Sequence, residues 1–253
     1  MGQRSSSEVF ARGLDLLDLV AESRYGLTID QLAEARKMHR SSMYRYVAPL
    51  LERSYVRKTS EGRYALGPRL LELASLLLER LDMRNIGHPL LVALSEGLHA
   101  TVHLARLEAA EVVYLDKVQT YRSLPLVSRI GGRQPAYCTG LGKALLAFLS
   151  EERLREILSL VEYKQFTPNT ITDAERLRAE LAVVRTRGYA VDDEEHEPGI
   201  SCVAFPIFDL YGEPIGAISA TSTTREFNSK IDAYVDAVQE AAQKVSQAFG
   251  WKA

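Results

Sequence analysis

The stretch LTIDQLAEARKMHRSSMYRYVAPLLERSYVRKTSEGRYAL, residues 27–66, decides the reading of this chain. Thr28 followed three positions later by Gln31 has the spacing of a capping box, which marks a helix start. Ile29, Leu32 and Ala33 then recur at helical intervals with polar residues between them. Lys37-Met38-His39 interrupts the pattern, and a second helix is predicted from near Arg40. Met43, Val47, Leu50 and Leu51 fall on one of its faces, and Arg40, Ser41, Ser42, Tyr44 and Arg45 on the other. Two short helices with a tight break, the second opening on small polar and basic residues, make a helix-turn-helix. Tyr55-Val56-Arg57-Lys58, a polar turn at Ser60-Glu61-Gly62 and Arg63-Tyr64-Ala65-Leu66 follow as a basic hairpin, or wing.

Charge points to the same place. Between Arg36 and Arg63 stand eight Lys or Arg and two acids, Glu52 and Glu61. Residues 1–66 carry a net +3 and residues 67–253 a net −5, so the overall −2 conceals a basic head on an acidic body. Phosphate contacts require cations gathered on one surface, whatever the total charge. Arg40, Ser41, Ser42, Tyr44 and Arg45 are therefore candidates for the major groove and its phosphates, with Arg57, Lys58 and Arg63 on flanking phosphates.

Working outward, residues 7–23 form an amphipathic helix with Phe10, Leu14, Leu17 and Val20 on the face expected to pack under the two helices. After Gly67-Pro68, RLLELASLLLERL (69–81) has leucines on almost every side. Alone it would expose a large apolar surface, so it is expected to meet another subunit or pack between domains. From Asp82 the period changes. A helix (84–98) leads to a strand hairpin over 101–107 and 111–118. Helices are predicted at 141–149, 151–160 and 173–187, strands at 188–192, 203–208 and 214–221, and a closing helix at 229–249. Hairpins with helices inserted between them give an α+β domain with a mainly antiparallel sheet. The expected divisions are 1–67 for the winged helix-turn-helix, 68–82 for the linker and dimerisation helix, and 83–253 for a sensor domain.

At 46% apolar and 25% charged residues the composition is that of ordinary globular protein. No apolar run approaches the ~20 residues of a membrane span, and residues 1–8 lack a signal-peptide core, so a cytoplasmic chain is expected. Cys138 and Cys202 stand 64 positions apart, without a C-x-x-C, so neither a disulfide framework nor a zinc finger follows. Each is expected to be a free, partly buried thiol. His99 and His103 have the spacing of two metal ligands on one helix, but His103 falls in the following strand. No metal, cofactor or catalytic residue is expected.

Thr139-Gly140-Leu141-Gly142-Lys143 is not a Walker loop, because Tyr137 stands where the first glycine belongs and Ala144 follows the lysine. Small residues nevertheless run into a helix there, leaving backbone N–H groups for an anion such as a ligand carboxylate. The run Asp192 to Glu197 reads as a solvated acidic loop from which one acid turns inward. Ser219 and Thr221 share one strand face and present two small hydroxyls in an apolar run.

These blocks also carry a resemblance. The run from Leu32 through RSSMYRYVAPLLERSYV to GRYALG, then YCTGLGKALLA (137–147), GYAVDDEEHEPGISCVAFPIFD (188–209) and GAISATS (216–222), resembles the IclR family of bacterial transcription regulators across nearly the whole chain. Two positions depart from the family: Pro49 inside the recognition helix, where it removes a hydrogen bond to Arg45 and is expected to bend the helix, and Ser54 in place of a helix-ending glycine. The resemblance implies a GAF-like effector domain in which Gly140, Leu141, Asp192, Cys202, Ser219 and Thr221 line a pocket. It implies a repressor, controlled by a small carboxylate, aromatic acid or amide from a catabolic pathway. It further implies a homodimer or a dimer of dimers on a partly palindromic double-stranded operator. Two other readings stay open on the residues alone: a Cys-dependent or redox enzyme domain tethered to DNA, and a ligand-free architectural DNA binder.

Overall fold

Both helices of the 27–66 stretch end in the same kind of turn, and those turns set the shape of the N-terminal part. The computed structural model describes residues 6–80, 82–124 and 126–252, except the side chains of 6–8, 74, 75 and 77–80. The chain divides into two compact units, Met1–Leu81 and Asp82–Ala253. The first holds α1 (Ser6–Ala21), α2 (Ile29–Ala35), α3 (Arg40–Glu52), β1 (Val56–Lys58), β2 (Tyr64–Leu66) and α4 (Pro68–Arg80). The capping box forms: Gln31 N–H donates to Thr28 Oγ1 at 3.3 Å and Thr28 N–H to Gln31 Oε1 at 2.9 Å.

At the end of α2, Lys37 is left-handed (φ 50°), and Met38 N–H donates to Ala33 O at 2.8 Å. At the end of α3, Ser54 is left-handed (φ 59°), with Tyr55 N–H to Leu50 O at 2.9 Å and Ser54 N–H to Leu51 O at 3.0 Å. This paired pattern closes a helix most cheaply on glycine. A side chain in that conformation costs about 1 kcal/mol. Ser54→Gly is therefore expected to stabilise the N-terminal unit by about 1 kcal/mol. A denaturant midpoint that fails to rise would refute it. The helix continues through Pro49 to Glu52.

The core of this unit corrects one expectation. Leu16 and Val20 of α1 are buried with Leu32, Met43 and Val47, whereas Phe10 and Leu14 remain 69% and 48% exposed. Periodicity admitted two apolar stripes about one helical step apart, and packing selects the one through Leu16. Phe10 and Leu14 instead line an apolar groove with Pro49, Leu50 and Tyr55.

The wing pairs Val56 with Leu66, Arg57 with Ala65 and Lys58 with Tyr64. Its exit is fastened to the recognition helix. Gly67 N–H donates to Tyr55 O at 2.8 Å and Arg69 N–H to Ser54 O at 3.1 Å. A Cβ on Gly67 would stand 2.2 Å from Ser54 O, so only glycine allows this approach. Along α4, Leu71 and Leu76 are exposed, and Leu73 sits at the margin. The side chains of Leu77 and Leu78, and Leu81 altogether, lie outside the described residues.

The second unit is built on one antiparallel sheet in the order β5-β4-β3-β8-β7-β6. Its elements are α5 (Met83–Leu98), β3 (Thr101–Glu108), β4 (Glu111–Val118), β5 (Arg133–Pro135), a 3₁₀ turn at Ala136–Cys138, α6 (Gly140–Leu146), α7 (Glu151–Leu158), α8 (Ala174–Arg187), β6 (Ala190–Asp193), β7 (Ile200–Phe208), β8 (Pro214–Thr223), α9 (Thr224–Ser229) and α10 (Ile231–Ala248). Leu91 of α5 and Tyr234 and Val238 of α10 pack with Val203 and Ile218 on one face. Leu145 of α6, Ile157 of α7 and Leu181 of α8 join the core of the other face. Covered on both sides, β7 and β8 are buried along most of their length.

Three details differ here. The closing helix forms as α10, but a short helix that was not anticipated, α9, precedes it, capped by Thr223. The helix predicted over 141–149 ends at Leu146. β7 begins at Ile200 rather than 203, which places Cys202 inside the strand. The edge strand β5 was not anticipated; three residues are too few for a periodic signal. No helix among the described residues is long and apolar enough to cross a membrane.

A polar cavity on the sheet and the basic face of the recognition helix

Strand register gathers the sequence-predicted cavity residues. Asp192 of β6 lies opposite Cys202 of β7, Cys202 opposite Thr221 of β8, and Thr221 opposite Thr101 of β3. Two residues along, Ser219 lies between Ala204 and His103. Directly opposed residues share a face, so the row through Asp192, Cys202 and Thr221 and the row through Ser219 and His103 face the same way. Gly140 and Leu141, at the first turn of α6, close over these rows. All six predicted positions, Gly140, Leu141, Asp192, Cys202, Ser219 and Thr221, line one cavity of about 360 Å³.

Close packing positions α6. A Cβ on Gly140 would stand 2.7 Å from Cys202 Sγ, and one on Gly142 would stand 2.1 Å from Ala136 O. Thr139 caps the helix, accepting from Gly142 N–H at 3.2 Å. Burial pushes the Cys202 thiol well above its ordinary pKa, and the nearby Asp192 charge adds to this, while backbone N–H groups of Gly140 and Asp192 pull the other way. Burial also lifts Cys138 to about 12. Both cysteines are buried rather than partly buried, and both are free neutral thiols rather than nucleophiles. Burial, then the Glu195 charge, raises Asp192 to about 7.

The acidic run departs from a solvated loop with one inward acid, because Asp192 and Glu195 are both buried. Glu195 Oε1 accepts from Lys143 Nζ, which also reaches Glu180 Oε1 at 3.2 Å. Burial opposes the Lys143 charge, but Glu195 and Glu180 outweigh it and hold the ammonium above its ordinary pKa.

In the other unit the exposed face of α3 carries Arg40, Ser41, Tyr44 and Arg45, while Ser42 is half-buried and turned toward α1 beside Arg12 and Leu16. Arg40 pairs with Asp30 at 3.3 Å. On the wing Arg57 and Lys58 are exposed, and Arg63 reaches back to Gly26 O at 3.3 Å and Glu61 at 3.5 Å.

The two halves match two models of one family: residues 9–60 match the IclR helix-turn-helix domain, and residues 75–247 match the C-terminal domain of bacterial transcriptional regulator IclR. The chain belongs to the IclR family. The transcriptional repressor IclR of Escherichia coli is 33% identical over 243 residues, covering 94% of this chain and 89% of that protein. The Thermotoga maritima IclR structure is 38% identical, covers 97% of this chain and 100% of its own, and superposes with a TM-score of 0.65. An IclR homolog from Microbacterium hydrocarbonoxydans, solved with 4-hydroxybenzoate, is 25% identical over 96% of this chain and 99% of its own, with a TM-score of 0.61. This IclR-family chain is a DNA-binding transcription regulator, as its relatives are, and not an enzyme.

Sequence reading missed part of the cavity of this IclR-family protein. His103 lines it, with Nε2 2.7 Å from Ser128 Oγ and its ring 4.8 Å from that of Tyr114. Burial, helped by Lys117, lowers His103 to about 3, so the imidazole is neutral. Its place two residues from Thr101 on β3 was a usable signal, but strand order was needed to set it beside Ser219. Leu126, Val127, Ser128 and Arg129 come from a segment without periodicity. Among the described residues no group of three or more His, Cys, Asp or Glu is placed to hold a metal ion.

Proposed function

We propose that this chain is a repressor whose grip on a partly palindromic operator is controlled by a small organic acid or amide bound in the cavity. The observation that carries the reading is the convergence of Gly140, Leu141, Asp192, Cys202, Ser219 and Thr221 on one space of about 360 Å³. A few fixed polar groups on a partly apolar wall suit a small ligand. The first-turn N–H group of Leu141 lacks a helical acceptor and favours a carboxylate, whereas that of Gly140 already meets the Cys202 sulfur. Two relatives add weight: the E. coli protein is a transcriptional repressor, and the Microbacterium homolog holds 4-hydroxybenzoate.

Residues 1–67 then bind DNA, 68–82 link and dimerise, and 83–253 sense the effector. Arg40, Ser41, Tyr44 and Arg45 address the major groove, while Ser42, turned toward α1, does not, and Arg57, Lys58 and Arg63 hold flanking phosphates. A single head of this size buries too little surface for selective binding, so a homodimer or a dimer of dimers is expected, working in the cytoplasm. The exposed Leu71 and Leu76 of α4 suit a subunit contact. Arg57→Ala should weaken operator and random DNA alike and reduce the salt slope by about one charge. An unchanged slope removes Arg57 from the interface.

Thermal shift of the full chain with carboxylates, aromatic acids and amides, repeated as release of its upstream DNA, tests the whole reading. Ser219→Ala with Thr221→Val should cost about 0.5–1.5 kcal/mol of effector affinity per lost hydrogen bond and leave operator binding intact. Normal effector binding by this variant would place the ligand elsewhere.

A further inference from the structure

Asp192 lies against the cavity with 8% of its surface exposed. Its Oδ1 accepts from Glu195 N–H at 2.8 Å, and the His196 backbone also hydrogen-bonds to it. Charged neighbours come from two elements. Glu195 shares its turn, and Lys143 reaches in from α6. Cys138 of the 3₁₀ turn, Cys202 of β7 and Tyr114 of β4 also face it, and burial keeps all three neutral. Behind Lys143, α8 supplies Glu180, which in turn meets Arg187 at 3.5 Å. Across the cavity His103 is neutral, burial lowers His196, and Glu197, Arg129 and Arg133 stand further along the wall. Arg133 is already paired with Glu108 and Glu111.

The inner charges therefore cancel without Asp192: Lys143 and Arg187 against Glu195 and Glu180. An ionised Asp192 would be a buried charge without a counter-ion of its own. A ligand carboxylate brought beside it would be a second one, and two carboxylates sharing a site cannot both stay ionised. We propose that Asp192 meets its ligand as a neutral carboxyl, donating a hydrogen bond to a ligand carboxylate, so that the cavity takes up an organic monoanion together with a proton. This rests on the cavity being the effector site.

The sign of the pH effect follows. With Asp192 titrating at about 7 in the free protein, the carboxyl is already protonated at lower pH and affinity there is flat. Above it a proton must be acquired on binding, and affinity falls by up to about tenfold per pH unit. A neutral amide carries no such requirement.

Calorimetry on the full chain with 4-hydroxybenzoate and 4-hydroxybenzamide, from pH 6 to 8.5 in buffers of different ionisation heat, tests this. For the carboxylate we expect a flat affinity near pH 6, a fall of about tenfold between pH 7.5 and 8.5, and uptake of about one proton per molecule at pH 8. The amide should change by less than about twofold. Asp192→Asn retains an acceptor for the Glu195 N–H and a fixed donor for the ligand. It should keep the carboxylate affinity at pH 6, lose the fall, and bind more tightly than the parent at pH 8.5. Carboxylate affinity that is level or rises with pH overturns the inference, as does binding without proton uptake, and leaves the cavity assignment standing. Failure of both compounds to bind overturns the cavity assignment and the inference together. If Asp192→Asn does not fold, calorimetry on the parent protein decides alone.

Discussion

Lys143→Met should destabilise the C-terminal unit by about 3–5 kcal/mol, the cost of removing one partner from a buried ion pair. Lys143 Nζ is almost fully buried between Glu195 and Glu180, and Glu195 Oε2 is already a buried oxygen with no hydrogen-bond partner among the described residues. Methionine fills the space of the stem and leaves the carboxylates uncompensated. Burial lifts Glu195 above the ordinary carboxylate range even with Lys143 present, and the variant loses that opposing charge. The folded form of the variant therefore holds a proton on Glu195 that the unfolded chain gives up. Its deficit should be smallest below the ordinary carboxylate pKa and should grow as pH rises through the folded value. Adding Glu195→Gln should recover part of the loss. Urea unfolding at pH 5 and pH 8 checks both points. A loss under about 1 kcal/mol, the range of an exposed pair, would mean the pair is solvated.

Arg45→Ala should lower operator affinity by about 1–3 kcal/mol, the worth of a bidentate base contact, with little change on random DNA. Arg45 lies on the exposed face of α3 one turn beyond Ser41. Arg40 is already paired with Asp30 and hydrogen-bonded to Tyr44, so Arg40→Ala should cost less. Equal losses on operator and random DNA would make Arg45 a phosphate contact.

The DNA-binding end was legible because its signals are local. The Thr28 and Gln31 pair, the Lys37 break and the basic hairpin are each complete within a few residues, and each formed as expected. The α1 stripe was misjudged because periodicity fixes that a helix has an apolar face and leaves open which stripe its neighbours cover. In the sensor unit, parity along β8 put Ser219 and Thr221 on one face, and the family resemblance added Asp192 and Cys202, but only the strand order set His103 beside them. That order joins β3 to β8 across more than a hundred residues, and no local pattern encodes it. Lys143 was weighed only against a phosphate loop; its partner is 52 positions away.

The backbone bonds from Tyr55 and Ser54 to Gly67 and Arg69 make the recognition helix, the wing and the first turn of α4 a single stiff joint. A helix of the length of α4 is roughly 20 Å long. A sideways shift of about 5 Å at its far end therefore turns its root by roughly 15°, taking the 1.5 Å rise per residue. Those two bonds give such a turn a direct route to the end of α3. Within the N-terminal unit, α4 therefore serves the recognition helix as a lever arm as well as a connector.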